Sequence, residues 1–174
     1  DSRTDMYNLD AIEAPEAWSV GLRGAGIIVA VLDTGVDINH IDLDDNIWVN
    51  DGETPNNGID DDGNGFVDDI NGYDFVNEDA TVEDNDGHGT HVAGTISAEN
   101  NGIGVIGAAF DAKIMPVKCL PGANQDGSYV DLVQGIYYAV DNGAEVINMS
   151  LGGGHNPPSI LRTAITYANY NGVI

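Results

Sequence analysis

Asp33 closes an apolar run, Val31-Leu32-Asp33-Thr34-Gly35, and His88 lies within Asp86-Gly87-His88-Gly89-Thr90-His91-Val92-Ala93-Gly94. An acid at the end of a buried strand and a histidine opening a glycine-rich helix are two of the three members of a Ser-His-Asp relay. A carboxylate so placed accepts a hydrogen bond from one ring nitrogen and fixes the tautomer. The other nitrogen is then free to take a proton from a hydroxyl. Gly87 and Gly89, on either side of His88, allow close backbone approach. No Gly-Thr-Ser-x-Ala segment of the kind that carries the nucleophile occurs in the 174 residues.

Each residue also has a plainer reading. The plainer role for Asp33 is a helix N-cap or a turn residue. Asp-Thr-Gly is also the aspartic-protease triplet. No second Asp-Thr-Gly or Asp-Ser-Gly is present; a homodimer would supply one, but that mechanism leaves the His88 segment idle. His88 and His91 stand three apart, so a two-histidine metal site is conceivable. The His-Glu-x-x-His spacing is absent, however. His91 reads instead as a packed, hydrogen-bonded support, and His40 and His155 as unassigned surface residues.

The elements that must position these groups follow from periodicity. Ile27 to Leu32 is continuously apolar, as in a strand buried on both faces of a parallel sheet. Asp10 to Val20 reads as a short surface helix with Pro15 in its first half. His91 to Ala98 suits a buried helix and Lys113 to Leu120 a strand. Leu132, Val133, Ile136, Tyr137 and Val140 share one helix face, and Asn142-Gly143 ends that helix. Glu145 to Ser150 is the next strand. Leu161, Ala164, Ile165 and Ala168 mark another helix, ended by Asn171-Gly172. Val173-Ile174 then reads as the start of a further strand. The expectation is an α/β fold that stops mid-domain, residues 1–174 being the N-terminal part of a larger domain.

The net charge is −24, with 29 acids against five basic residues. Phosphate contacts and anionic membrane surfaces both need Lys and Arg, so nucleic-acid and membrane-surface binding are disfavoured. No apolar run reaches the ~18 residues of a membrane span. Cys119, the single cysteine, lies in an apolar run and reads as a buried, inert thiol.

Residues 44–86 are rich in Asp, Asn and Gly and read as a long functional insertion rather than core. Within them, Asp60, Asp62, Asn64, Phe66 (through its carbonyl) and Asp68 place oxygens at alternate positions, with Gly65 at the sixth. That is the first part of an EF-hand-type calcium loop. Position twelve is Asn71 rather than Glu, so the match is partial, and Asp69 is the candidate to close the shell. The plain alternative is a solvated acidic loop.

Taken together, several segments resemble the subtilisin-like serine proteases (subtilases). Asp33-Thr-Gly-Val-Asp37 followed by His40-Ile-Asp42-Leu is similar to that family's aspartate segment. His88-Gly-Thr-His-Val-Ala-Gly-Thr is similar to its histidine segment, whose first histidine is catalytic. Asn148-Met-Ser150-Leu151-Gly152-Gly153-Gly154 resembles the strand that lines the primary specificity pocket and pairs with the substrate backbone. Gly127-Ser128-Tyr129 resembles the strand on the substrate's other side. The resemblance implies a three-layer αβα fold with a mainly parallel sheet. It implies a serine endopeptidase in which Asp33 and His88 are catalytic, with protein or peptide substrates and a propeptide or peptide inhibitor as partners. The serine and an oxyanion asparagine would come from the C-terminal half, in the same or a separate chain. It further implies a secreted protein and a tight calcium site. That site would take side chains from Asp42 and Asn101 within the Glu99–Val105 loop, and carbonyls from residues such as Glu99, Ile103 and Val105. The alternative is a catalytically inactive calcium-binding or structural fragment.

Overall fold

Ile28–Asp33 forms β1, which runs through the middle of a four-stranded sheet. A computed structural model of the chain describes residues 6–122, 127–153 and 157–174. The remaining strands are β2 (Tyr73–Asp74), β3 (Lys113–Lys118) and β4 (Val146–Asn148), in the order β2-β3-β1-β4, all parallel. Side chains of β1 alternate between two cores, as a pleat with period two requires. Ala30 and Leu32 face one core; Val29 and Val31 face the other.

Helices cover both faces. Two helices, α4 (Tyr129–Asp141) and α5 (Ser159–Tyr170), supply Leu132, Val133, Ile136, Leu161 and Ala164 to the core that holds Leu32 and Val117. The helix α3 (His88–Ser97) packs Ala93 against Val31 and Ile114 on the opposite face. The three-layer α/β arrangement is therefore present. Burial on both faces explains why Ile28–Leu32 of β1 reads as an unbroken apolar run.

The helix ends follow their sequence signals. Asn142 and Asn171 cap α4 and α5, and Gly143 and Gly172 adopt the positive φ that a side chain disfavours. At Ile174 the backbone joins the sheet: Ile147 N–H donates to the Ile174 carbonyl (2.8 Å) and Ile174 N–H to the Glu145 carbonyl (3.1 Å).

Three expectations change. The helix expected over Asp10–Val20 is two, α1 (Tyr7–Ala11) and α2 (Ala14–Ser19). Glu13 turns into the left-handed region between them, and Pro15 falls in the first turn of α2, where its missing N–H costs nothing. The strands expected over Lys113–Leu120 and Glu145–Ser150 are shorter, ending at Lys118 and Asn148. Residues 44–86 are not wholly outside the core. Ile47 bridges to Ile114, Tyr73–Asp74 is the edge strand, and Trp48 and Phe75 are buried beside Leu32. Their apolar pieces are too short to show a period, so only the sheet reveals them. Among the described residues no helix is long and apolar enough to cross a membrane.

Candidate active site

Parallel strands end on one rim, and in α/β sheets ligands bind outside that rim. Asp33 is the last residue of β1 and is fully buried. Its carbonyl accepts the Cys119 and Leu120 N–H groups (2.9 and 3.1 Å), which locks the strand end to the chain leaving β3. Its Oδ1 accepts the Thr34 N–H at 2.7 Å and the His88 Nδ1 at 2.7 Å. A carboxylate can only accept, so Nδ1 donates and Nε2 is left as the basic nitrogen. The His88 side chain is 49% exposed while that of Asp33 is 0%. The pair thus joins a buried acid to a ring that solvent or substrate can reach.

Two close backbone approaches bring these residues together. Gly89 lies against the Gly35 carbonyl with no room for a Cβ. Gly35 has a φ of +105°, and a Cβ there would sit 2.7 Å from the Glu83 carbonyl oxygen. Glycine at 89 therefore lets the first turn of α3 reach the end of β1, and glycine at 35 lets the Val82–Glu83 segment that leads into α3 lie against it.

Electrostatics around the ring are one-sided. The hydrogen bond to Asp33, and then that carboxylate's charge, hold the imidazole above the ordinary histidine range; Asp86 and Asp84 act the same way, and burial opposes them. Lys118 stands directly opposite Asp33 in the β1–β3 ladder. Its buried ammonium is committed elsewhere, donating to the Glu83 carbonyl at 2.8 Å and pairing with Asp74 Oδ2 at 3.6 Å. The Asp33 carboxylate thus remains the histidine's partner.

Beyond β4, Ser150, Leu151, Gly152 and Gly153 leave the sheet. None of their backbone groups has a hydrogen-bond partner among the described residues. Leu151, Gly152 and Gly153 line a groove of about 600 Å3 together with Gly127, Ser128, Tyr129, Leu120 and Leu161. Ser150 is exposed, and its hydroxyl donates to Asn148 Oδ1 at 2.9 Å. Gly127-Ser128-Tyr129 is not the strand expected. Ser128 caps α4, its Oγ accepting the Val130 N–H at 3.0 Å, and Tyr129 is the first residue of that helix. An unfilled helix N-terminus needs such an acceptor, and Ser128 meets that need.

The acidic loop gathers some candidate ligands and separates others. Asp60 and Asp62 converge with Glu53, a residue sequence reasoning missed, so that one oxygen from each lies within 4.8 Å of the others. Asn64 donates to both Asp62 Oδ2 (3.2 Å) and Asp69 Oδ2 (3.1 Å). Asp69 is buried behind them, accepting the Tyr138 hydroxyl at 2.7 Å. Desolvation raises its pKa. Asp68 turns away and accepts the Asn57 and Gly58 N–H groups. Phe66 packs edge-on against Tyr73, Phe75 and Tyr138, which anchors the loop to the core.

At the second site Asp42 is buried. Its Oδ2 accepts the Val105 N–H at 2.9 Å, while Oδ1 is buried with no partner among the described residues. Gly104, with a φ of +53°, crowds the same carboxylate so closely that a Cβ would overlap it. Asn101 folds the loop, accepting the Ile103 N–H (3.0 Å) and donating to the Ile41 carbonyl (3.1 Å). Glu99 N–H donates to the Asp42 carbonyl. A buried, orphaned carboxylate oxygen inside an oxygen-rich loop fits a hard cation.

His91 departs from expectation. It is exposed, and among the described residues its ring has no hydrogen-bond partner. On the first turns of α3 it faces away from the Ala93 stripe, lining a cleft with His40 and Thr95. His155 lies outside the described residues.

Residues 24–174 match the Subtilase family. The chain belongs to that family. As a subtilase it is 42% identical over 166 residues to the "Major intracellular serine protease" of Bacillus subtilis (strain 168), covering 95% of this chain and 46% of that protein. It is 39% identical over 168 residues to "Subtilisin Savinase" of Lederbergia lenta, covering 97% and 52%. It is 36% identical over 164 residues to "Thermitase" of Thermoactinomyces vulgaris, covering 94% and 50%. The chain thus spans about half the length of the curated relatives it matches. One of these relatives is named intracellular, so family membership does not carry the extracellular location that the resemblance implied.

The raised His88 pKa gives a direct check. In an NMR titration His88 should titrate above the ordinary value of about 6.5, and Asp33→Asn should bring it down. Because the folded pKa is the higher one, the pair's contribution to stability is complete below the unfolded pKa. It is lost as pH rises through the folded value. A His88 that titrates at or below the ordinary value would show that the contact with Asp33 is absent in solution.

Proposed function

We propose that this chain carries the base and the orienting acid of a serine endopeptidase centre. The single observation that supports the reading most is the 2.7 Å contact between buried Asp33 and half-exposed His88. It fixes the tautomer in which Nε2 accepts a proton. The nucleophile is a serine of the full-length protein outside residues 1–174. Its hydroxyl attacks the peptide carbonyl as His88 takes the proton; His88 then returns it to the leaving amine. Asp33 orients the ring and stabilises the imidazolium that forms. The described serines have other places: Ser19 Oγ donates to the Glu16 carbonyl, Ser97 Oγ is buried on the Ala112 carbonyl, Ser128 caps α4, Ser150 bonds Asn148 and Ser159 opens α5.

Substrate would lie extended along Ser150–Gly153, whose open backbone groups suit strand-like pairing. Gly152 and Gly153 leave space for a side chain to enter the groove beside Tyr129, Leu132 and Leu161. Gly127 lines the same groove from the other side. Ser128 and Tyr129 act there as the start of α4 rather than as a strand.

Calcium is the second part of the proposal. Asp42 and Asn101, with carbonyls of Glu99, Ile103 and Val105, would hold one ion. Asp60 and Asp62, with Glu53 and the neighbouring Asn64 and Asp69, are the candidates for another. The ion supplies positive charge that relieves carboxylate repulsion and ties loop to core; it takes no part in proton transfer.

In the full-length protein, His88→Ala should abolish hydrolysis of a peptide substrate. Asp33→Asn should lower turnover about 10⁴-fold, as it does in another triad protease. Full activity in His88→Ala would overturn the assignment, because the proton would have to go elsewhere. Melting in millimolar calcium should occur at a higher temperature than in excess chelator. An ion held at ~100 times its dissociation constant stabilises the fold by about 2.7 kcal/mol. Equal midpoints would overturn the calcium reading.

A further inference from the structure

Asp84 collects five hydrogen bonds. Its Oδ1 accepts from Thr34 Oγ1 (2.9 Å), Asp86 N–H (3.0 Å) and Gly87 N–H (2.9 Å); its Oδ2 accepts from Thr90 N–H (2.9 Å) and Thr90 Oγ1 (2.7 Å). These donors come from two separate places, the exit of β1 and the Asp86–Thr90 stretch that opens α3. The bonded hydroxyls extend the link. Thr34 Oγ1 also accepts the Gly89 N–H (3.0 Å), and Thr90 Oγ1 the Asp37 N–H (3.0 Å). Both ends of the His88 turn are thus tied to the segment that begins with Asp33.

The helix needs this. Its N-cap, Gly87, is left-handed and offers no side chain, so the orphan N–H groups of α3 get no acceptor from the cap position itself. Asp84, just upstream, supplies one, and a carboxylate at a helix N-terminus is favoured by the helix dipole. The Lys118 bond to the Glu83 carbonyl fixes the peptide just before it.

We propose that Asp84 is a positioning residue: its carboxylate braces the first turn of α3 against the exit of β1 and so sets the geometry in which His88 meets Asp33. This rests on the reading of Asp33 and His88 as acid and base. Asp84 touches neither ring nor substrate; it acts through Thr34, Gly87 and Thr90. Asp84→Asn replaces one acceptor oxygen with an amide that opposes donors on one side of the brace. Misplacing a base by a fraction of an ångström to an ångström costs turnover rather than binding, up to about 100-fold.

The test uses the full-length protein and a chromogenic peptide anilide. Asp33, Asp84 and Asp86 all face His88, so Asp84→Asn also removes a nearby charge. Thr34→Val breaks the same brace with no change of charge and little change of shape. In both variants kcat should fall about 10- to 100-fold with KM within twofold. The acid limb of the kcat/KM profile, which reports the free enzyme's base, should move to lower pH as the Asp33 contact loosens. Thr34→Ser, which keeps the hydroxyl, should recover most of the loss. If Asp84→Asn does not fold, Thr34→Val carries the test. Folded variants with kcat within twofold of wild type and an unmoved acid limb would overturn the role of Asp84. Turnover that survives His88→Ala would instead overturn the reading of the pair on which it rests.

Discussion

A hydrogen bond between a buried carboxylate and a half-exposed imidazole is costly to arrange. The acid must be held out of water, and the ring must be kept at its edge. Here the acid is held by position. Asp33 ends a strand with a neighbour on each side, its carbonyl bonded to the chain leaving β3 and one oxygen bonded to its own next peptide. The ring is held by a helix whose first turn can approach only because Gly89 lacks a side chain, while Gly35 admits the Val82–Glu83 segment that leads into it. Much of the fold serves that meeting point. The two cores fix β1, α3 closes one face of it, and the Lys118–Asp74 pair holds the segment that leads into His88.

Charge has a second function in this chain. The 29 acids are not spread evenly. Many sit in loops where N–H groups and amides surround them, as at Asp60, Asp68 and Asp84. Such carboxylates organise irregular backbone in the way that strands and helices organise themselves. Apart from the short strand β2, the long segment between β1 and α3 is held by these bonds and by the packing of Phe66, Tyr73 and Phe75 with Tyr138 of α4. Asp33 Oδ2 and Asp42 Oδ1 are the buried carboxylate oxygens left without a partner among the described residues, and of the two Asp42 lies in the oxygen-rich loop where a cation would fit.

The legible parts of the sequence were those with local signals. Asp33 and His88 stood out because a strand end and a glycine-flanked helix start are written in neighbouring residues. Asn-Gly marked both helix ends for the same reason. Ser128 is legible in principle, since Ser128-Tyr129-Val130-Asp131 has the spacing of a capping box, a signal that the resemblance to a substrate strand does not carry. Glu53, Asp74, Asp84 and Lys118 were not picked out, because their partners are distant in sequence or are backbone atoms. Lys118 sits in an apolar run, and nothing local shows that its charge is matched by Asp74. The grouping of Asp60 with Glu53, and the turning away of Asp68, depend on loop geometry that spacing alone does not contain.

The central claim is that His88, oriented by Asp33, activates a serine elsewhere in the full-length protein. The most direct measurement is to label that protein with a fluorophosphonate and map the modified residue by peptide mass. The expected result is a single labelled serine outside residues 1–174, with labelling lost in His88→Ala. A label on Ser97, Ser128, Ser150 or any other serine of this segment would contradict the claim, and so would labelling at the wild-type rate in His88→Ala.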